Sequence, residues 1–213
     1  MIPFLTNTKW CAREDLQNIV NEKIMPVDVV LDIGCGINPE PIIKPRIHIC
    51  CDPFIEYIEE LRKITTDRSD RLFLIAQADW RKVVEDFPSK SVDTVFLIDV
   101  IEHLSKKEGQ ELLKKTEEIA RDQVVIFTPL GMTHQEVVDG KDAWSMNGAV
   151  WQEHHSGWYP EDFKNGWEIF ACKEYHLTDN LEKKLKKPWG AIWAIKTHFS
   201  YKSFLFKTKL KSN

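Results

Sequence analysis

The chain has no pair of cysteines at CxxC spacing, and its five cysteines (Cys11, Cys35, Cys50, Cys51, Cys172) are odd in number. That spacing argues against a zinc ribbon or a disulfide framework and points to reduced thiols in a cytoplasmic protein. No apolar run nears the roughly 20 residues of a membrane span. The start, Met1-Ile2-Pro3-Phe4-Leu5-Thr6, lacks a basic n-region, so no signal peptide is expected. Internal repeats and low-complexity linkers are also missing, and residues 1–213 are expected to form a single domain. Acid is absent from the end of the chain. All 33 acidic residues lie at or before Glu182, and residues 183–213 hold nine lysines. The net charge of −4 therefore combines +9 there with −13 elsewhere. A solvated loop and tail account for this run. The aromatics Phe199, Tyr201, Phe204 and Phe206 in the tail, 199–213, keep open a weak contact with an anionic substrate or lipid surface. No nucleic-acid-binding motif is present, and no such partner is expected.

What is there begins with Val29-Val30-Leu31-Asp32-Ile33-Gly34-Cys35-Gly36. A β-branched apolar run ends in two glycines at alternate positions, as a buried strand does when it enters a tight loop that must approach a ligand closely. Asp32 stands before the first glycine. A carboxylate there suits a cationic, amino-acid-like ligand and repels a pyrophosphate.

Alternation of strand and helix follows. A helix is expected over 13–24, then strands over 29–33, 47–51, 72–76, 92–98 and 124–127, the last stopped by Pro129. Helices come between them. One opens at Pro53 with Ile55, Ile58 and Leu61 inward. One opens at Trp80 with Val83, Val84 and Phe87. A third opens at the capping box Ser105-Lys106-Lys107-Glu108, with Leu112, Leu113, Ile119 and Ala120 inward. A short helix over 160–165 and two late strands, 169–175 and 190–196, finish the pattern. Continuous apolar strands between helices make an α/β, doubly wound, Rossmann-like sheet that is mostly parallel. Ligands of such sheets sit outside the carboxyl ends of the strands. Gly34, Gly36, Asp52, Asp79 and Asp99 all fall at such ends.

Asp32-Ile33-Gly34-Cys35-Gly36 resembles the first motif of class I S-adenosylmethionine (SAM) dependent methyltransferases, and the resemblance runs over about residues 29–196. It implies a seven-stranded sheet with an antiparallel late strand, a SAM-binding core over about 29–128, and SAM as cofactor. The third glycine often seen in that motif is replaced here by Ile37-Asn38-Pro39. By the same resemblance Asp52 takes the ribose hydroxyls, and Asp79 with Trp80 reads adenine. The structural alternative for Asp52, ahead of Pro53, and for Asp79 is a helix N-cap.

Asp99-Val100-Ile101-Glu102-His103-Leu104 resembles the Asp-x-x-Glu-His-Leu motif after the fourth strand in small-molecule and glycan-type members. It implies Asp99 beside the transferring methyl. His103 titrates near neutrality and can act as general base towards a hydroxyl, or brace the turn. Residues 129–158 hold Trp144, Trp151 and Trp158 every seventh residue, with His154-His155 between the last two. They read as a substrate lid, with Trp151, His155 and Trp158 facing the acceptor, or as aromatic cladding on the core. His134, His154 and His155 lack ligand spacing, and no metal is expected. The expected activity is methyl transfer from SAM to a small-molecule or glycan-type acceptor at oxygen or nitrogen. The rivals are a SAM-binding regulatory or scaffold protein without catalysis, and an NAD-dependent oxidoreductase.

Overall fold

The computed structural model describes residues 8–134, 140–164, 166–179 and 183–198. The lysine- and aromatic-rich tail over 199–213 lies outside the described residues, as do residues 135–139 of the segment read as a lid.

The chain order is β1 (Thr8–Trp10), α1 (Arg13–Lys23), β2 (Val29–Ile33), β3 (Ile47–Asp52), α2 (Ile55–Thr65), β4 (Leu72–Gln77), α3 (Trp80–Asp86), β5 (Val92–Ile98), α4 (Lys106–Ile119), β6 (Ala120–Leu130), β7 (Trp167–Thr178) and β8 (Lys184–Thr197). These strands make one eight-stranded sheet in the order β1-β7-β8-β6-β5-β2-β3-β4. All pairings are parallel except those of β8, which runs against both β6 and β7. From β2 the chain winds outward through β3 to β4, then returns to lay β5 on the other side of β2. The ends of β2 and β5 therefore form the topological switch point, where a crevice opens.

Side-chain alternation along the central strands feeds two cores. Leu31, Val95, Leu97, Val124 and Ile126 point to one face, and Val30, Phe96, Val125 and Phe127 to the other. Each such fully buried side chain contributes about 1.5–3 kcal/mol relative to exposure. Cys50 and Cys51 alternate in the same way, into different clusters, and all five cysteines are free thiols. The capping box at Ser105 is formed, with Glu108 Oε2 accepting from Ser105 N at 3.1 Å. Among the described residues no helix is long and apolar enough to cross a membrane.

Several elements differ from the sequence reading. The sheet gains β1, which pairs with β7 in parallel, Thr8 opposite Ile169. Ile55 is exposed, and α2 buries Tyr57, Ile58, Leu61 and Thr65 instead. β6 does not stop at Pro129 but continues to Leu130, with Pro129 opposite Ala191. β5 ends opposite Phe127, so beyond it β6 has a neighbour only on the β8 side and tolerates a proline as an edge strand does. The segment after Tyr159 makes a single 3-10 turn, Pro160–Asp162.

Candidate active site

The glycine loop is held in place by backbone and by one carboxylate. Gly34 and Gly36 take positive φ of 71° and 54°. Gly34 N donates to Cys51 O at 2.7 Å, which folds the loop across the end of β3. Asp52 Oδ2 accepts from Gly36 N at 3.0 Å, and Oδ1 accepts from Phe54 N at 2.9 Å. The N-cap position of α2 is Phe54, so Asp52 fastens the loop rather than capping the helix. Burial pushes the Asp52 carboxyl up to about 6, against two backbone N–H bonds that lower it. Each Asp52 oxygen keeps a lone pair for a further donor.

Asp32 is buried, and its Oδ2 accepts from Glu40 N at 2.9 Å and lies 3.2 Å from His48 Nε2. It thereby shapes the turn where the third glycine is missing. That turn brings Glu40 into the cleft wall. Desolvation pushes the Glu40 carboxyl up to about 7, and the charges of Asp32 and Asp99 add to the effect. Asp79 caps α3 through Lys82 N at 2.9 Å while still lining the cleft. Trp80 is mostly buried, with Nε1 lacking a hydrogen-bond partner.

At the end of β5 the backbone turns sharply. Asp99 has φ 51°, a left-handed conformation that aspartate tolerates better than most residues, and its N–H donates to Phe127 O at 3.0 Å. Its side chain opens on the cleft but is ringed by protein on its other sides. Desolvation and the neighbouring Glu102 carboxyl hold Asp99 well above the usual carboxylate range. Glu102 is buried behind it, with Oε2 accepting from Thr128 Oγ1 at 3.0 Å. Burial lowers His103, whose Nδ1 lies 3.2 Å from Glu153 O. Its ring centroid is 5.0 Å from that of His154.

The segment beyond β6 covers this edge. Its anchor is Asp142. Oδ1 accepts from Trp144 N at 2.9 Å and Met146 N at 2.8 Å, and Oδ2 accepts from Gly148 N at 3.0 Å and from the Tyr57 hydroxyl of α2. Gln152 Nε2 donates to the same hydroxyl at 3.1 Å. Trp144 packs edge-on to Tyr57, with ring centroids 4.9 Å apart, and lies on the glycine loop. A Cβ on Gly36 would come within 2.3 Å of the Trp144 ring. His155 N and Ser156 N both donate to Glu102 O, at 2.8 and 3.0 Å, tying the segment to the turn after β5.

Together these parts enclose a cleft of about 860 Å³ at the switch point. Every residue named in advance for cofactor binding lines it: Asp32, Gly34, Gly36, Asp52, Asp79, Trp80 and Asp99. His103, Trp151 and His155 line it too. Trp158 does not. Its indole is fully buried, Nε1 donates to Ser156 Oγ at 3.0 Å, and the ring packs on Phe163 and against Gly109 of α4. The expectation that it meets a substrate is corrected: Trp158 belongs to the core. Sequence reasoning missed Glu40, Tyr57, Trp144 and Gln152 as wall residues. Only Trp144 carried a signal, as the first of the three spaced tryptophans.

No protein-family model matches the chain, and no curated protein matches it. Solved structures match in fold. A magnesium protoporphyrin IX methyltransferase from Synechocystis PCC 6803 with bound SAM superposes with TM-score 0.52 at 13% identity, over 86% of this chain and 76% of that one. The same enzyme with bound SAH gives TM-score 0.53 at 14% identity, over 86% and 80%. The bifunctional kinase-methyltransferase WbdD gives 0.52 at 13% identity, over 87% of this chain and 38% of that one. At such identities the likeness is one of fold. The chain is a Rossmann-like α/β domain built on the same plan as these methyltransferases, with a mostly parallel sheet and β8 reversed.

Proposed function

We propose that the chain is a SAM-dependent methyltransferase acting on a small-molecule or glycan-type acceptor, at oxygen or nitrogen. The observation that carries this reading is the convergence of Asp32, Glu40, Asp52 and Asp99 on a glycine-lined cleft at the switch point. SAM presents an ammonium, a sulfonium and two ribose hydroxyls, and a wall of carboxylates complements all of them. The same wall repels the pyrophosphate of a dinucleotide. The residues present fit the group. Positive φ at Gly34 and Gly36 lets backbone approach closely, and a Cβ at Gly34 would already meet Val100 at 2.8 Å.

When bound, SAM supplies a methyl on a sulfonium that is a good leaving group, so the protein's task is alignment and exclusion of water. Asp52 accepts from the ribose hydroxyls while keeping its grip on Gly36 N. Asp79 and the backbone N–H of Trp80 meet the adenine edge. Asp32, Glu40 and Asp99 face the cationic end. The acceptor enters between Asp99, His103, Trp151 and His155, with residues 129–158 as its cover, and its proton leaves at the His103 side of the cleft. The similarity to structures that hold SAM or SAH supports this assignment.

The test is incubation with methyl-labelled SAM and a fractionated cell extract, followed by mass spectrometry of the labelled product. Transfer to a discrete small molecule or glycan is expected. Tight SAM binding without transfer to any acceptor pool would leave a SAM-binding protein without chemistry.

A further inference from the structure

Behind the cleft wall lies a cluster that the cofactor reading does not use. One donor atom each from Glu102, His103 and His154 lie within 4.8 Å of one another. Ligands that share an ion at about 2.1 Å sit about 3–4 Å apart, so small side-chain adjustments close the set. Glu102 comes from the turn after β5, and His154 from the segment folded over it. No spacing in the sequence links the two, which is why the cluster is invisible there.

Three further features argue that the cluster is built for an ion. First, the buried Glu102 carboxylate spends Oε2 on Thr128, while Oε1 makes no hydrogen bond of acceptable geometry and the neighbouring Asp99 is another carboxyl. A buried carboxylate oxygen left without a partner is costly, and a cation satisfies it. Second, the imidazoles are oriented from behind. His103 Nδ1 is 3.2 Å from Glu153 O, and His154 Nδ1 is 2.9 Å from Thr133 O and 2.8 Å from Thr133 Oγ1. A carbonyl can only accept and a threonine hydroxyl can accept too, so with each Nδ1 donating to its carbonyl, each Nε2 presents the lone pair. Backbone carbonyls fix metal-binding imidazoles in this way. Third, His103 and His154 line the cleft and Glu102 does not, so open coordination positions would face the acceptor.

We propose that Glu102, His103 and His154 form a binding site for a divalent first-row transition-metal ion. Two nitrogens and one carboxylate oxygen select zinc, manganese or iron over magnesium and calcium, which prefer all-oxygen shells. With three protein ligands the ion keeps positions for an acceptor oxygen, whose proton it makes easier to remove. That role rests on the methyltransferase reading above; the binding of the ion does not. In this account His103 serves the acceptor as a ligand to the ion.

The experiment is calorimetric titration of the chelator-treated full chain with Zn²⁺ and with Mn²⁺, Mg²⁺ as comparison, and SAM titrated into the same samples. One transition-metal ion per chain is expected, with Mg²⁺ at least ten-fold weaker. Glu102→Gln and His154→Gln should each weaken Zn²⁺ ten-fold or more, and His155→Ala, beside the cluster, should not. The half-buried His103→Asn, checked for folding by circular dichroism, supplies the same test where a buried variant fails to fold. No binding of either ion to the wild type at millimolar concentration overturns the site. So does unchanged binding in His103→Asn, or binding lost in His155→Ala and kept in Glu102→Gln. Zn²⁺ binding without SAM binding would uphold the site and contradict the methyltransferase reading.

Discussion

Asp52 holds the glycine loop and, in the proposed function, the ribose as well. Its two oxygens hold Gly36 N and Phe54 N, and burial raises its pKa to about 6. The sign of the pH effect follows. Between the ordinary carboxylate value of about 4 and the raised value of about 6, the native state holds a proton that the unfolded chain has lost. Without ligand, Asp52 therefore stabilises the fold at low pH, and that contribution is lost as pH rises through about 6. SAM affinity runs the other way: ribose hydroxyls need the ionised acceptor, so binding should weaken as pH falls below about 6. Calorimetry between pH 5 and pH 8 reads this, and affinity that is flat across the window contradicts the assignment of Asp52 to ribose. His103 gives the second prediction at this scale. His103→Ala should lower turnover by about 10²–10⁴-fold with SAM affinity nearly unchanged. Activity within a few-fold of wild type would make His103 a brace for the turn it ends.

Among the elements, the glycine loop and the aromatic segment depend on each other. Gly36 and Gly140 both have positive φ, but a Cβ at Gly36 meets the Trp144 ring, and at Gly140 it meets nothing within 4 Å. Gly140→Ala should cost only the left-handed strain of about 1–2 kcal/mol. Gly36→Ala should also displace Trp144 and weaken SAM at least ten-fold, which calorimetry on the two variants would separate. Equal behaviour would mean that Trp144 does not seat on the loop. Trp158 belongs to the core, so Trp158→Ala should cost about 3–5 kcal/mol in urea unfolding. A loss below about 1 kcal/mol would remove it from that role. The seven-residue spacing of the tryptophans hid this division. Spacing indicates a shared face only on a regular element, and among the described residues of this segment Ala149–Trp151 makes only a single 3-10 turn, so Trp144 caps the loop, Trp151 lines the rim and Trp158 fills the core.

For the whole molecule, the sheet was the most legible part. β2 and β5 match their expected spans because strands buried on both faces read as largely apolar runs between turn residues. β1 escaped notice because Thr8–Trp10 is three residues long and mostly exposed, with no apolar pattern to detect. The residues proposed to hold the cofactor were legible for the same reason as the sheet: they sit at strand ends, which topology gathers in one place. Beyond His103, Trp151 and His155, the rest of the wall was not. Glu40, Tyr57, Gln152 and His154 are brought to the cleft wall by a turn, a helix face and an irregular segment, whose mutual placement is set by contacts such as Tyr57 with Asp142 rather than by any local periodicity.

The central claim is that this carboxylate-lined cleft binds SAM. Calorimetric titration of the wild type and of Asp52→Ala with SAM tests it most directly, with NADH as the competing ligand. The account predicts saturable one-to-one SAM binding, no NADH binding, and a loss of about 1.5–3 kcal/mol in Asp52→Ala. NADH binding in place of SAM, or SAM affinity unchanged in Asp52→Ala, would contradict it.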